Sequence, residues 1–143
     1  MRAEGVDPVR LRDAERRLLL SNCIEGLRRD GRLEMLGSAA ETNGFRSHVL
    51  RVITQLKQAA IEPADFRERV ARRRLRSPLD DVVADVYSAY QDALLGVGMY
   101  DLPGLFWKAD SLCSYGTPKL VTNVALLALD GFDDFTPSEF RLL

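Results

Sequence analysis

The chain is poor in the residues that most often carry chemistry. Its 143 residues hold one histidine, two cysteines and one tryptophan. No Cys-x-x-Cys pair occurs, and His48 stands without the spaced partners of a metal site or a nucleophile. It reads as a helix-surface or partner-satisfied histidine. Cys23 and Cys113 are far apart and read as small apolar helix residues. No Gly-x-x-x-x-Gly-Lys-Ser/Thr loop is present, so no triphosphate cradle is encoded. No run approaches the ~18 apolar residues of a membrane span; the longest, Val124 to Leu129, has the length of a buried strand. The first residues lack a secretory apolar core, which makes the cytoplasm the expected location.

What remains is an ordinary composition, 46% hydrophobic and 29% charged, enough for one core at this length. Net charge is −1, yet the charge is segregated. Residues 1–76 carry 17 Lys/Arg against 11 Asp/Glu, a net of +6; residues 77–143 carry 3 against 10, a net of −7. A basic half suits a polyanion. Lys57 is the one lysine in it.

Helical periodicity dominates the pattern. Leu11 to Arg29 reads as a helix with Asp13 as cap and Leu18, Leu19, Ile24 (or Cys23) and Leu27 as its stripe. Leu33, Met35 and Leu36 make one turn, and 37–43 reads as a loop. Asn43 is expected to cap a helix to Ala60, with Phe45, Val49, Val52, Ile53 and Leu56 inward. Pro63 opens a short helix through about Arg74. Ser77-Pro78-Leu79-Asp80 starts a fourth, whose stripe runs from Val82 and Val83 through Val86, Tyr87 and Tyr90 to Leu94 and Leu95. Tyr87 and Tyr90 could stack on bases, but core packing with a buried hydroxyl partner is the stronger expectation. Gly96 and Gly98 end this helix. Asp101 caps a fifth, and Thr136-Pro137-x-Glu139 is a capping box.

The densest charge follows Pro63. Arg69, Arg72, Arg73 and Arg76 would share a face at i, i+3, i+4 and i+7 if the helix continued. That face could track phosphates without reading bases, or be a solvated surface paired with the acidic half.

The C-terminal residues carry the most specific pattern. Leu120 to Leu129 reads as an apolar strand ending at Asp130, followed by an acidic aromatic turn and a capped helix start. A carboxylate at the C-terminal end of a strand is where open α/β sheets place chemistry. The segment Leu129 to Leu143 resembles the "DGF-x-x-FTP-x-x-x-x-LL" signature of the B-type subunit of bacterial AddAB-type ATP-dependent helicase–deoxyribonucleases, here Asp130, Gly131, Phe132, Phe135, Thr136 and Pro137. Asp13 to Leu20 resembles the family's "ERRLLL" helix. Gly44-Phe45 with Ile53 to Pro63 resembles "GF…IRELKRAGIxP", with Gln55 where the family favours Glu and Ala60 where it favours Gly. Tyr87 to Asp101 resembles "YxxYxxxLxxxGxYD".

The resemblance implies a mainly α helical subdomain over 1–119, about five helices, like the helical insertion of superfamily 1 helicases. One C-terminal strand and the acidic turn, 120–143, would belong to a core completed elsewhere, which makes the chain an internal segment between phosphate loop and acidic motif. It further implies double-strand-break processing with a partner helicase-nuclease subunit. No cofactor is expected in this chain; ATP and magnesium are implied only for the parent complex, where Asp130 would be a magnesium ligand. Gly131 stands where active helicases carry the water-handling glutamate, so no ATP hydrolysis is expected. Weak, sequence-independent DNA binding is the leading expectation. A protein–protein interaction module with no nucleic-acid role is the alternative.

Overall fold

The computed structural model describes residues 8–75, 77–116, 122, 124–126, 128–131 and 134–142. The fold is helical. In order it runs β1 (Val9–Arg10), α1 (Asp13–Arg29), a 3-10 segment (Glu34–Glu41), α2 (Asn43–Gln58), α3 (Pro63–Ala71), α4 (Pro78–Gly96), β2 (Met99–Tyr100), α5 (Leu102–Ser114) and the single turn α6 (Pro137–Phe140).

Local chemistry explains most boundaries. α1 starts at Asp13, the expected cap, and its cap position is Arg12: Arg12 is extended, and its backbone N–H donates to Glu15 Oε2 at 2.7 Å. Asp13 and Glu15 in the first turn and Arg28 and Arg29 in the last complement the helix dipole. At α2 the cap is Thr42 rather than Asn43; Thr42 Oγ1 accepts from the Phe45 N–H at 3.1 Å. Ser77 and Asp101 cap α4 and α5 as expected, accepting from Leu79 and Gly104 N–H. Gly98, at φ 64, turns the chain out of α4.

The core is built around α4, which contributes Val82, Val83, Val86, Tyr87, Tyr90 and Leu94. α1 lies on it through Leu20, Ile24 and Leu27, α2 through Val49 and Ile53, and α3 through Val70. Leu18, expected inward, is 64% exposed; Leu20 takes its place at i, i+4 and i+7 with Ile24 and Leu27. Leu95 is likewise exposed.

Two expectations need correction. The stretch 37–43 is not a plain loop, because the 3-10 segment runs to Glu41 across a kink at Gly37 (φ 51). The described residues of 124–129 form no strand, and Val124, Leu126 and Leu129 are exposed. An apolar strand needs neighbours for its backbone groups, and no strand among the described residues lies beside it. The sheet lies elsewhere: β1 and β2 pair in parallel, Val9 with Met99 and Arg10 with Tyr100. No sheet exceeds two strands among the described residues. No helix among the described residues is long and apolar enough to cross a membrane.

Candidate functional site

Lys57 lies on the inner face of α2, at i+4 from Ile53 and i+8 from Val49. Its ammonium is entirely buried and pairs at 2.6 Å with Asp101 Oδ1, also entirely buried. A buried ion costs several kcal/mol unless its partners replace water. Here Lys57 Nζ also donates to Gln91 Oε1 at 2.8 Å and sits 5.2 Å from the Trp107 ring centroid and 5.9 Å from that of Tyr90. The Trp107 indole N–H donates to the Lys57 carbonyl at 3.0 Å. Asp101 is held from three sides, by Lys57, by the Tyr90 hydroxyl at 3.3 Å and by the Gly104 N–H at 2.9 Å.

Arg16 extends the network to α1. Its Nη2 donates to Thr54 Oγ1 at 2.8 Å, its Nη1 pairs with Asp13, and its Nε reaches the Tyr90 hydroxyl at 3.5 Å. Burial pulls the Lys57 pKa down, against the pull of Asp101. Burial, with Asp101 adding to it, pushes the Tyr90 phenol up to about 12. Tyr87 is raised for the same reasons, and its hydroxyl donates to the Ile61 carbonyl at 2.8 Å. Both tyrosines therefore pack in the core with a hydroxyl partner.

A pair this enclosed admits no substrate. The network fastens α1, α2, α4 and α5 to one another, and the residues responsible come from the three helical motifs singled out in the sequence. Gly104 marks its tightness: a Cβ there would meet Asp101 Oδ1 at 2.7 Å and Lys57 Nζ at 3.3 Å. Asp101 was legible as a cap; its pairing with Lys57 was not. A lysine on an otherwise apolar face was the available signal. The start of α6 lies beside the network: Thr136, Ser138 and Glu139 face Arg16, Thr54 and Pro103 across a small cleft. Its capping box forms as expected, with Glu139 Oε2 accepting from the Thr136 N–H at 2.9 Å.

The arginine cluster has a different geometry from the one expected. α3 ends at Ala71, with Arg72 at its cap and Arg73 beyond it, so Arg69, Arg72 and Arg73 do not continue along one helical face. Arg69 is exposed. Arg72 pairs with Glu68, and Arg73 pairs with Asp80 at 2.9 Å. Arg76 lies outside the described residues. His48 is exposed, with Nδ1 3.0 Å from Arg51 Nη2. Cys23 and Cys113 are free thiols.

Asp130 and Gly131 are exposed, and Gly131 takes φ 76; Phe132 lies outside the described residues. Magnesium takes near-octahedral oxygen ligation, with its waters and one or two carboxylates aided by substrate phosphates. No group of three His, Cys, Asp or Glu residues with metal-holding geometry occurs among the described residues. Asp130 by itself does not make such a site.

The sequence that folds in this way, with the capped Thr136–Pro137 turn seated against α2 and α5, has counterparts among known proteins. The family model described as ADDB, N-terminal, matches residues 2–143. The chain belongs to this family. It is 26% identical over 148 residues to the B-type subunit of the ATP-dependent helicase/deoxyribonuclease of Natranaerobius thermophilus, and 27% over 143 residues to that of Lachnoclostridium phytofermentans. The corresponding protein of Clostridium tetani is 28% identical over 145 residues. Each match covers 97% of this chain and 12% of the relative. The chain thus spans about an eighth of the length of these curated relatives.

Proposed function

We propose that this chain is a non-catalytic, DNA-positioning helical segment of a B-type helicase–deoxyribonuclease subunit that serves double-strand-break repair by recombination. The observation that carries the reading is the family match across residues 2–143. The segregated charge and the buried network support it. The Lys57–Asp101 pair fastens the helices that carry the exposed Arg17, Arg51 and Arg69. In this reading ATP and magnesium act in the larger assembly, a partner helicase-nuclease subunit supplies motor power, and the setting is cytoplasmic. Residues 1–119 form the helical subdomain, and 120–143 lead into a helicase-like core.

Arg69, Arg72, Arg73 and Arg76 are the first candidates for phosphate contact. The Arg72–Glu68 pair is solvent-exposed and Arg73 keeps about half its surface in water; exposed pairs contribute about 0–1 kcal/mol, so phosphates could displace Glu68. Four contacts on a duplex give a log–log salt slope of roughly −3 to −4. Binding of the chain to labelled duplex DNA, measured from 50 to 200 mM salt, tests this; replacing all four arginines by Ala is expected to flatten the slope. A second reading, an interaction module without a nucleic-acid role, draws on the exposed Leu18, Leu95 and Val97. Salt-insensitive behaviour with no DNA binding at 50 mM favours it.

A further inference from the structure

Most arginines of the described structure are occupied by carboxylates. Arg16 pairs with Asp13, Arg28 with Glu25 and Glu41, Arg32 and Arg67 with Asp85, and Arg72 and Arg73 with Glu68 and Asp80. Exposed arginines without such a partner among the described residues also occur, Arg10, Arg69 and Arg74 among them; Arg17 and Arg51 are two that line one cleft together. A continuous groove runs between α1 and α2, floored by Leu50 and walled by Arg17 and Ser21 on one side and Arg46, Ser47 and Arg51 on the other. Asp13 is the acidic residue lining it, and Arg16 already holds that carboxylate.

Arg17 and Arg51 are exposed and have no carboxylate partner among the described residues. Arg51 instead meets His48 Nδ1, a ring nitrogen. Arg46, at the far end, donates to Ser21 Oγ at 3.3 Å and to Glu25 at 2.7 Å, while its Nε is buried with no partner. The groove therefore holds two uncompensated guanidiniums, a third with spare donor capacity, and hydroxyls between them. Its lining on α2, from Asn43 to Gln58, extends about 22 Å at the α-helical rise. Like charges along a cleft focus the field and raise the local concentration of a polyanion. Guanidiniums grip phosphate oxygens bidentately, and hydroxyls add neutral hydrogen bonds.

We infer that the groove between α1 and α2 seats the phosphodiester backbone of a nucleic-acid strand, with Arg17 and Arg51 as its anchors. This rests on the reading that the chain contacts DNA, and it moves the principal contact away from the α3 end. Arg72 and Arg73 there carry their own counter-charges; Arg17 and Arg51 in the groove do not.

The chain and two variants, Arg17→Ala/Arg51→Ala and the fourfold Arg69/Arg72/Arg73/Arg76→Ala, are titrated against a labelled single strand and a duplex of equal length from 50 to 200 mM salt. Loss of two contacts should lower the magnitude of the salt slope by about 1.4 on the single strand and about 1.8 on the duplex, with affinity at 50 mM falling roughly tenfold or more. A larger loss on the single strand identifies that strand as the occupant; a larger loss on the duplex identifies the duplex backbone. The Arg17→Lys/Arg51→Lys variant keeps the charge and should keep the slope, and a melting curve within a few degrees of the parent confirms that each variant is folded. If the fourfold variant loses binding while Arg17→Ala/Arg51→Ala is unchanged in affinity and slope, the groove assignment is overturned and the DNA reading stands. If the parent chain binds neither strand form at 50 mM, the DNA reading itself fails, and the groove with it.

Discussion

The helices from α1 to α5 and the segment from 122 to 142 have similar apolar content and opposite fates. In the helical body, Leu20, Ile24, Val49, Ile53, Val86 and Leu94 are buried against one another. In the C-terminal segment Val124, Leu126 and Leu129 face outward, Leu126 at 83% exposure. The difference lies in hydrogen bonding rather than hydrophobicity. A helix satisfies its own backbone and needs only one covered face; a strand needs a neighbour on each edge before burial helps. The helical body finds its partners within the chain. The C-terminal segment meets the helical body where a helix begins, at the Thr136–Glu139 capping box beside α2 and α5.

The comparison is broken most severely by removing the charge that locks the body. Lys57→Met leaves Asp101 buried and unpaired and should cost about 3–5 kcal/mol, read as a drop in denaturant midpoint. Adding Asp101→Asn, which removes the orphaned charge and keeps an acceptor for the Gly104 N–H, should restore part of it. A cost below about 1 kcal/mol for Lys57→Met would show that the pair does not hold the helices.

Gly104→Ala comes next. In an ordinary helix interior the change stabilises by about 0.5–1 kcal/mol. Here the added methyl meets the ion pair, and a loss of about 1–3 kcal/mol is expected instead. The sign, measured by thermal melting, is the decisive observable.

Alkaline pH should loosen the body while leaving the C-terminal segment untouched. The Tyr90 phenol is raised to about 12, above its unfolded value of about 10. The folded state keeps a proton that the unfolded chain releases, so this stabilisation is complete below about pH 10 and is lost as pH rises toward about 12. Tyr87 acts in the same direction. The depressed Lys57 acts oppositely, adding stability as pH approaches the ordinary lysine range. Tyr90→Phe should flatten the alkaline fall in a urea-midpoint series from pH 8 to 11.5.

Two smaller changes sharpen the contrast. Ala60 ends α2 at φ 54, a conformation that costs a residue with a Cβ about 1–2 kcal/mol. Ala60→Gly should recover roughly 1 kcal/mol, less the added freedom of the unfolded chain; destabilisation would refute the strain. Leu126→Ser, at an exposed position outside the helical body, should change stability by no more than about 0.5 kcal/mol. The same substitution at Leu20 serves as the destabilising control.

The helices were legible because each carries its own instructions. Ser77-Pro78 and Asp101 start α4 and α5 through contacts within three residues, and apolar spacing names the buried face. The cap residues of α1 and α2 were off by one: at α2 Thr42 caps as well as Asn43 would, and at α1 Glu15 holds the Arg12 backbone N–H, which moves the boundary back one residue. The family was readable from short motifs in fixed order, including Ala60, whose positive φ explains why glycine is favoured at that place. Tertiary structure decided what depends on elements far apart in sequence. Lys57 meets Asp101 across 44 positions of chain; β1 meets β2 across nearly 90. The groove of Arg17 and Arg51 exists only where α1 and α2 pack side by side. Periodicity encodes which face of an element turns inward because that choice is local. Which charges find a counter-charge depends on packing, and only the folded chain shows that Arg73 is matched and that Arg17 and Arg51 are not.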